Sequence, residues 1–199
     1  MPELARLDDI RKKRPLLHCI SNTVTANDCA NLALALGASP MMAEAPEEAA
    51  EIARLADAEV LNLGTPTRAK YEACLAAGGE AARLKKPIVL DPVGVGASYW
   101  RLEGAGRLLA AFRPCILRVN LSEARSLLGL AGREKGVDSA AEVEGAGRAV
   151  SKLGGRLLPA ADYAIPGAGV VHRVIGIEKI APTPGNFPRR WANMQKKPL

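Results

Sequence analysis

The chain has few aromatic residues, no long apolar run and no closely spaced cysteines, and each shortage removes a class of function. Aromatics make up 4% of its 199 residues. No apolar stretch approaches the roughly 20 residues that a membrane span requires. Residues 1–14, "MPELARLDDIRKKR", lack the apolar centre of a signal peptide, so a cytoplasmic location is expected. The cysteines Cys19, Cys29, Cys74 and Cys115 fall 10, 45 and 41 positions apart, with no C-x-x-C and no histidine-spaced pair. A zinc site is therefore not expected, and the apolar surroundings of all four predict reduced thiols packed in the core. The net charge of +6 is concentrated: residues 156–199 carry seven Lys/Arg against two Asp/Glu, which leaves the preceding 155 residues nearly neutral. Without a basic, aromatic-studded face, neither a nucleic-acid partner nor a membrane partner is expected.

What is present is an Ala- and Leu-rich chain, 48% hydrophobic, long enough for one domain with a sizeable aliphatic core. From residue 15 to 155, strand-like runs at 16–21, 40–43, 59–64, 87–93 and 115–120 alternate with helical patterns near 25–36, 47–56, 67–84, 104–112, 121–129 and 140–153. Thr65-Pro66 and Pro46-Glu47-Glu48 read as helix starts, and Ser139 with Glu142 as a capping box. Strands and helices alternating in this way predict βαβ units and an α/β fold with a mostly parallel sheet. After residue 155 the pattern weakens. Six prolines fall in the last 44 residues; residues 170–180 suggest a short strand or hairpin, and 181–199 an unfolded tail. The expected division is a core domain over 1–155, a degenerate continuation over 156–180 and a disordered tail over 181–199.

Ligands of a parallel sheet bind outside the carboxyl ends of its strands. Four of those ends are polar here: Ser21-Asn22, Asn62 to Thr65, Asp91, and Arg118 to Asn120 with Glu123 beyond. Asp91 closes the apolar run "PIVL" and precedes "PVGVG". A carboxylate so placed can hold Mg2+ beside a phosphate, and the glycines let backbone N–H groups approach an anion; a turn capped by Asp91 accounts for the same residues. The run is not a dinucleotide fingerprint, because Tyr99 stands where a third glycine or alanine is needed, and no Gly-Lys-Ser/Thr follows to make it a phosphate-binding P-loop. Glu123 suits either a capping box with Asn120 or a second metal carboxylate. Arg118 suits either a phosphate or water at a sheet edge. Asn22 can orient a small polar group or cap the next helix. Of Met41 and Met42 only one can face the core, leaving the other for an apolar pocket. His18, inside "LLHCIS", reads as a packed, hydrogen-bonded residue rather than a catalyst.

The segments "HCISNTVTANDCANLALALGASPMMAEAPEE" (18–48), "LNLGT" (61–65), "PIVLDPVGVGAS" (87–98), "RVNLSE" (118–123) and "KGVDS" (135–139) together closely resemble hydroxyethylthiazole kinases. The resemblance implies a ribokinase-like three-layer α/β fold and transfer of the ATP γ-phosphate, with Mg2+, to the primary alcohol of 4-methyl-5-(2-hydroxyethyl)thiazole in thiamine salvage. It also implies a homotrimer with sites at subunit interfaces. Carried over residue by residue, it makes Met42 and Asn22 thiazole-pocket residues with Gly64 and Thr65 nearby. It gives Arg118, with Asn120 beside it, to the ATP phosphates, and Asp91 and Glu123 to Mg2+ and its waters.

The chain departs from that pattern in two places. Val119 replaces the glycine of the family's Arg-Gly-Asn. "GRLLPAADY" and "EKIAPTPGNFPRR" stand where the family has a strand ending in Val-Thr-Gly and then a Gly-Thr-Gly-Cys turn, whose amides face the transferring phosphate. None of the four cysteines replaces the one in that turn, so no catalytic residue is assigned. The C-terminal part of the fold is expected to be incomplete. Two functional readings follow: a thiazole-alcohol kinase, and a non-catalytic relative that keeps thiazole binding or oligomer assembly without turnover.

Overall fold

The computed structural model describes residues 2–129, 150–151, 154–164 and 171–182. Five strands, β1 (Leu16–Ile20), β2 (Ser39–Met41), β3 (Ala58–Asn62), β4 (Ile88–Asp91) and β5 (Ile116–Leu117), form one sheet in the order β2-β1-β3-β4-β5. Every pairing in it is parallel. Helices α1 (Pro2–Lys13), α2 (Ala26–Leu36), α3 (Pro46–Leu55), α4 (Arg68–Arg83), α5 (Tyr99–Ala111) and α6 (Leu121–Leu127) alternate with the strands. The chain steps outward from β1 to β2, then back across β1 to β3, β4 and β5. With right-handed crossovers, that reversal puts α2 on one face of the sheet and α3, α4 and α5 on the other. The packing agrees: α3 lies against α4 and α4 against α5, while α2 lies against β2 and α1. The fold is thus the expected three-layer α/β arrangement.

The face under α3–α5 is the core. Its register aligns His18 with Glu59 and Ile88, and Ile20 with Leu61 and Leu90. All six are at most 1% exposed. Helix α4 can lie this close because its inner side is nearly bare: a β-carbon on Gly78 would stand 2.2 Å from the Phe112 ring, and one on Gly104 of α5 would stand 2.4 Å from Tyr71. Tyr71 also meets Trp100 edge to face. The opposite face is thinly covered. Helix α2 has no buried residue, and its Leu32 and Leu34 are exposed.

Several expectations change. Helix α1 was not foreseen, although Leu4, Leu7 and Ile10 recur at helical spacing and Arg11, Lys12 and Lys13 suit a final turn. Helix α5 begins at Tyr99 rather than 104; Ser98 caps it, its hydroxyl accepting from Arg101 N at 3.2 Å. Gly104, inside the expected helix, is the seat of Tyr71. Only Cys19 and Cys74 are buried, with Cys29 and Cys115 exposed, so core packing holds for two of the four cysteines. Strand β5 is two residues long, and both are exposed. Strands β6 (Gly155–Leu157), β7 (Ala161–Ala164), β8 (Val171–Val174) and β9 (Ile177–Lys179) pair antiparallel as β6 with β9 and β7 with β8, apart from the main sheet. Most of the helix expected near 140–153, its Ser139–Glu142 box and nearly all of the expected tail lie outside the described residues.

Candidate active site

The polar strand ends form a single rim, and the strand order divides it in two. Strands β2, β1 and β3 bring up Met42, Asn22, Gly64 and Thr65; β4 and β5 bring up Asp91, Arg118 and Asn120. In the first half, Asn22 caps the turn into α2: its Oδ1 accepts from Val24 N at 2.9 Å and Thr25 N at 3.1 Å. Gly64 is there because nothing larger fits. A β-carbon would lie 2.7 Å from Asn22 Cβ and 2.9 Å from Asn62 Oδ1. Thr65 is held at φ 45, a left-handed conformation that costs a β-branched residue about 1–3 kcal/mol. Its hydroxyl accepts from Thr23 N at 3.0 Å, which joins the β3 end to the β1 end. Met42, one residue past β2, is 38% exposed.

In the second half, Asp91 is 8% exposed and uses its two oxygens unequally. Oδ2 accepts from Asn62 Nδ2 at 3.0 Å and from Arg118 at 2.8 Å. Oδ1 is buried and accepts no hydrogen bond among the described residues. Burial pushes the Asp91 carboxyl above its ordinary range, against the opposing pull of Arg118 and Asn62. The Arg118 side chain is itself 74% exposed, free to swing toward solvent. Glu123 closes a capping box with Asn120: Asn120 N donates to Oε2 at 2.9 Å, and Glu123 N donates to Asn120 Oδ1 at 2.8 Å. Its other oxygen accepts from Gly94 N at 2.8 Å. Gly94 sits at φ 64, where a side chain would be strained. Glu123 therefore ties the glycine loop to the start of α6, and the Gly94 amide that a bound anion was expected to use is already engaged. Asp91 does not cap its own turn; among the described residues its side chain bonds to Asn62 and Arg118.

A model of the hydroxyethylthiazole kinase family matches residues 7–157. The chain belongs to that family. It is 50% identical over 134 residues to a hydroxyethylthiazole kinase of Methanosphaerula palustris, covering 67% of this chain and 51% of the relative. It is 46% identical over 133 residues to one of Clostridium beijerinckii, covering 67% and 48%. Among solved structures, a hydroxyethylthiazole kinase of Pyrococcus horikoshii superposes with a TM-score of 0.61 at 44% identity, over 65% of this chain and 51% of that one. The chain spans about half the length of the curated relatives it matches.

Every strand-end residue singled out from the sequence lies inside the span matched by the hydroxyethylthiazole kinase family. The structure brings Asn22, Gly64 and Thr65 together and, separately, Asp91, Arg118, Asn120 and Glu123. Sequence reasoning missed the residue that joins the groups. Asn62 donates to Asp91 through Nδ2 and accepts from Gly64 N at 2.8 Å through Oδ1. Its place, at the same sheet level as Asp91 on the neighbouring strand, was the available signal. Also missed were the buried Lys70 and Glu59 beneath the rim and the partly exposed Glu44 that faces Lys70.

Proposed function

We propose that this chain acts as its family does, transferring the γ-phosphate of ATP to the primary alcohol of 4-methyl-5-(2-hydroxyethyl)thiazole in thiamine biosynthesis. The observation that carries the reading is Asp91: a buried carboxylate oxygen with no partner among the described residues, at the end of β4 beside the β3 end that carries Gly64 and Thr65. Mg2+ commonly binds through one or two carboxylates, completing its shell with waters and phosphates, so the residues fit it. Asp91 would hold the ion directly or through water, while Glu123 keeps the Gly94 loop and the α6 start in place around it. Bound there, the ion would neutralise phosphate charge. The chain's own residues supply position and charge, which is most of what phosphoryl transfer asks of a protein. Arg118, exposed and able to leave Asp91, would meet the ATP phosphates beside Asn120. Met42 would cover the thiazole ring, and Asn22, Gly64 and Thr65 would hold the hydroxyethyl arm.

The test is phosphorylation of the thiazole alcohol by ATP and Mg2+, with Asp91→Asn as control. Turnover abolished in the control supports the reading; turnover that survives it removes Asp91 from the chemistry. A second reading, a thiazole-binding protein without turnover, is favoured by one observation: the described strands beyond β5 pair among themselves instead of extending the parallel sheet past the phosphate half. Thiazole binding without product in the same assay selects that reading. No described helix is long and apolar enough to cross a membrane. The exposed Val24, Leu32 and Leu34, just before and along α2, support the homotrimer implied by the family, which sedimentation velocity measures directly.

A further inference from the structure

Lys70 is the bulkiest of the fully buried side chains among the described residues, at 0% exposure. Two costs attach to that position. Taking an ammonium out of water costs several kcal/mol in order of magnitude unless partners replace the solvent. The residue also lies in the first turn of α4, the end of a helix where a cation is disfavoured by the backbone dipoles. A surface-type residue placed in this way needs a reason, and its three contacts supply one. Nζ donates to Ser21 O at 2.6 Å and to Gly64 O at 3.0 Å, and lies 3.4 Å from Glu44 Oε2. Two of the ammonium's three hydrogens go to the ends of β1 and β3, and the Glu44 carboxylate, just past β2, supplies the opposite charge. Ser21 precedes Asn22, Gly64 precedes Thr65, and Glu44 follows Met42 by two residues.

We propose that Lys70 is a positioning residue for the alcohol pocket, its ammonium gathering the ends of β1, β2 and β3 so that Asn22, Met42, Gly64 and Thr65 are set before any ligand arrives. The ligand named in this inference rests on the function proposed above; the gathering of the loops does not. Besides Lys70, the described residues hold these three connections in register through Thr23 N–Thr65 Oγ1, the Asn62 bridge and His18 Nε2 on Ala43 O. Prepaying their ordering is what raises affinity for a small ligand. A general staple of the fold would act differently, since its loss would loosen the phosphate half as much as the pocket.

The experiment compares the full chain with Lys70→Met, which keeps length and apolar volume but cannot donate, and with Glu44→Gln, a milder change at a partly exposed side chain. Amide hydrogen exchange is followed across the three loops in the absence of ligand, and calorimetric titration measures the thiazole alcohol and an ATP analogue separately. Expected for Lys70→Met is faster exchange confined to residues 21–25, 42–45 and 63–66, with a loss of about tenfold in thiazole affinity, the size of one charge-assisted hydrogen bond. Affinity for the nucleotide analogue stays within about twofold. Glu44→Gln shifts the same amides in the same direction by less, and carries the test if Lys70→Met fails to fold. Exchange that rises equally in the phosphate half, or does not rise in these loops, overturns the proposal. If the parent chain fails to bind the thiazole while the loop effect is present, the substrate reading falls and the role of Lys70 stands.

Discussion

Around Asn22, Gly64 and Thr65 the rim is bound from below and from the side, by Lys70 beneath the loops and by Thr23 N to Thr65 Oγ1 across them. In the other half Glu123 ties the glycine loop to α6, but Asp91 itself is held by one exposed arginine and one asparagine, next to a strand of two residues, and its buried oxygen has no partner among the described residues. The first region resembles a preformed receptor. The second resembles a site whose charges wait for a counterpart. The contrast follows from sheet position: β1 and β3 are flanked on both sides, whereas β5 is the edge of the described sheet. The proposed binding and transfer should therefore respond to different substitutions.

The largest effect is expected beneath the pocket half. His18 and Glu59 are both 0% exposed, with Nδ1 2.8 Å from Oε2, and His18 Nε2 donates to Ala43 O at 2.9 Å, next to Met42. Replacing His18 with leucine strands a buried carboxylate and should cost about 3–5 kcal/mol, read as a fall in the urea midpoint. The double change His18→Leu/Glu59→Leu should recover most of the loss. Burial works against the His18 charge, but Glu59 and the Ala43 carbonyl outweigh it and raise the pKa. The sign follows from linkage: the pair's contribution is complete below the ordinary histidine value of about 6.5 and fades as pH rises through the folded value above it. A parent chain whose midpoint shows no such decline relative to the double variant would contradict this.

Next is Asp91→Asn, which should lower turnover by at least about a hundredfold, typical of removing a group aimed at transition-state charge. Thiazole affinity should change little, because an asparagine keeps an oxygen to accept from Asn62 Nδ2 and the remaining pocket ties lie on other strands. Folding disfavours the Asp91 charge, so its removal should leave the melting temperature equal or higher. A lowered melting temperature together with weakened thiazole binding would erase the distinction between the halves. Gly64→Ala comes third. Its β-carbon would press on Asn22 and Asn62 at once, which should cost about 1–3 kcal/mol of stability and, unlike the aspartate change, weaken thiazole binding. Calorimetry on both variants side by side separates the two outcomes.

How much of this was legible depends on the range of the interaction. The alternation of strands and helices, the parallel sheet and the polar rim were legible because each rests on local pattern: apolar runs, a proline at a first turn, a carboxylate after "PIVL". The Asn120–Glu123 box was legible for the same reason, as a contact over three residues. Lys70 to Ser21 spans 49 positions and Asn62 to Asp91 spans 29, and no single-sequence period reports such pairs. The seat that Gly104 leaves for Tyr71 was not legible either, because it is a contact between two helices. The second carbonyl bound by Lys70 lies only six residues away, yet a lysine in an Ala-rich helix reads as solvated until the layer above it is known.

The smallest effect on the fold belongs to Arg118, and it sharpens the comparison most. Its side chain is 74% exposed, and its ion pair with Asp91 lies at the surface end of the site. Exposed pairs of this kind are worth about 0–1 kcal/mol, so Arg118→Ala should leave the urea midpoint nearly unchanged. The Asp91 carboxyl, losing the cation that opposes burial, should move further above its ordinary range, which NMR titration of its carboxyl carbon reads directly. Affinity for an ATP analogue should fall by about tenfold, the loss expected for one charge-assisted contact, and thiazole affinity should stay the same. The pocket half would then be complete without the arginine, and the phosphate half would depend on a residue that adds almost nothing to the fold. If the midpoint drops by more than about 1 kcal/mol, Arg118 is part of the scaffold. The two regions would then differ in exposure but not in purpose.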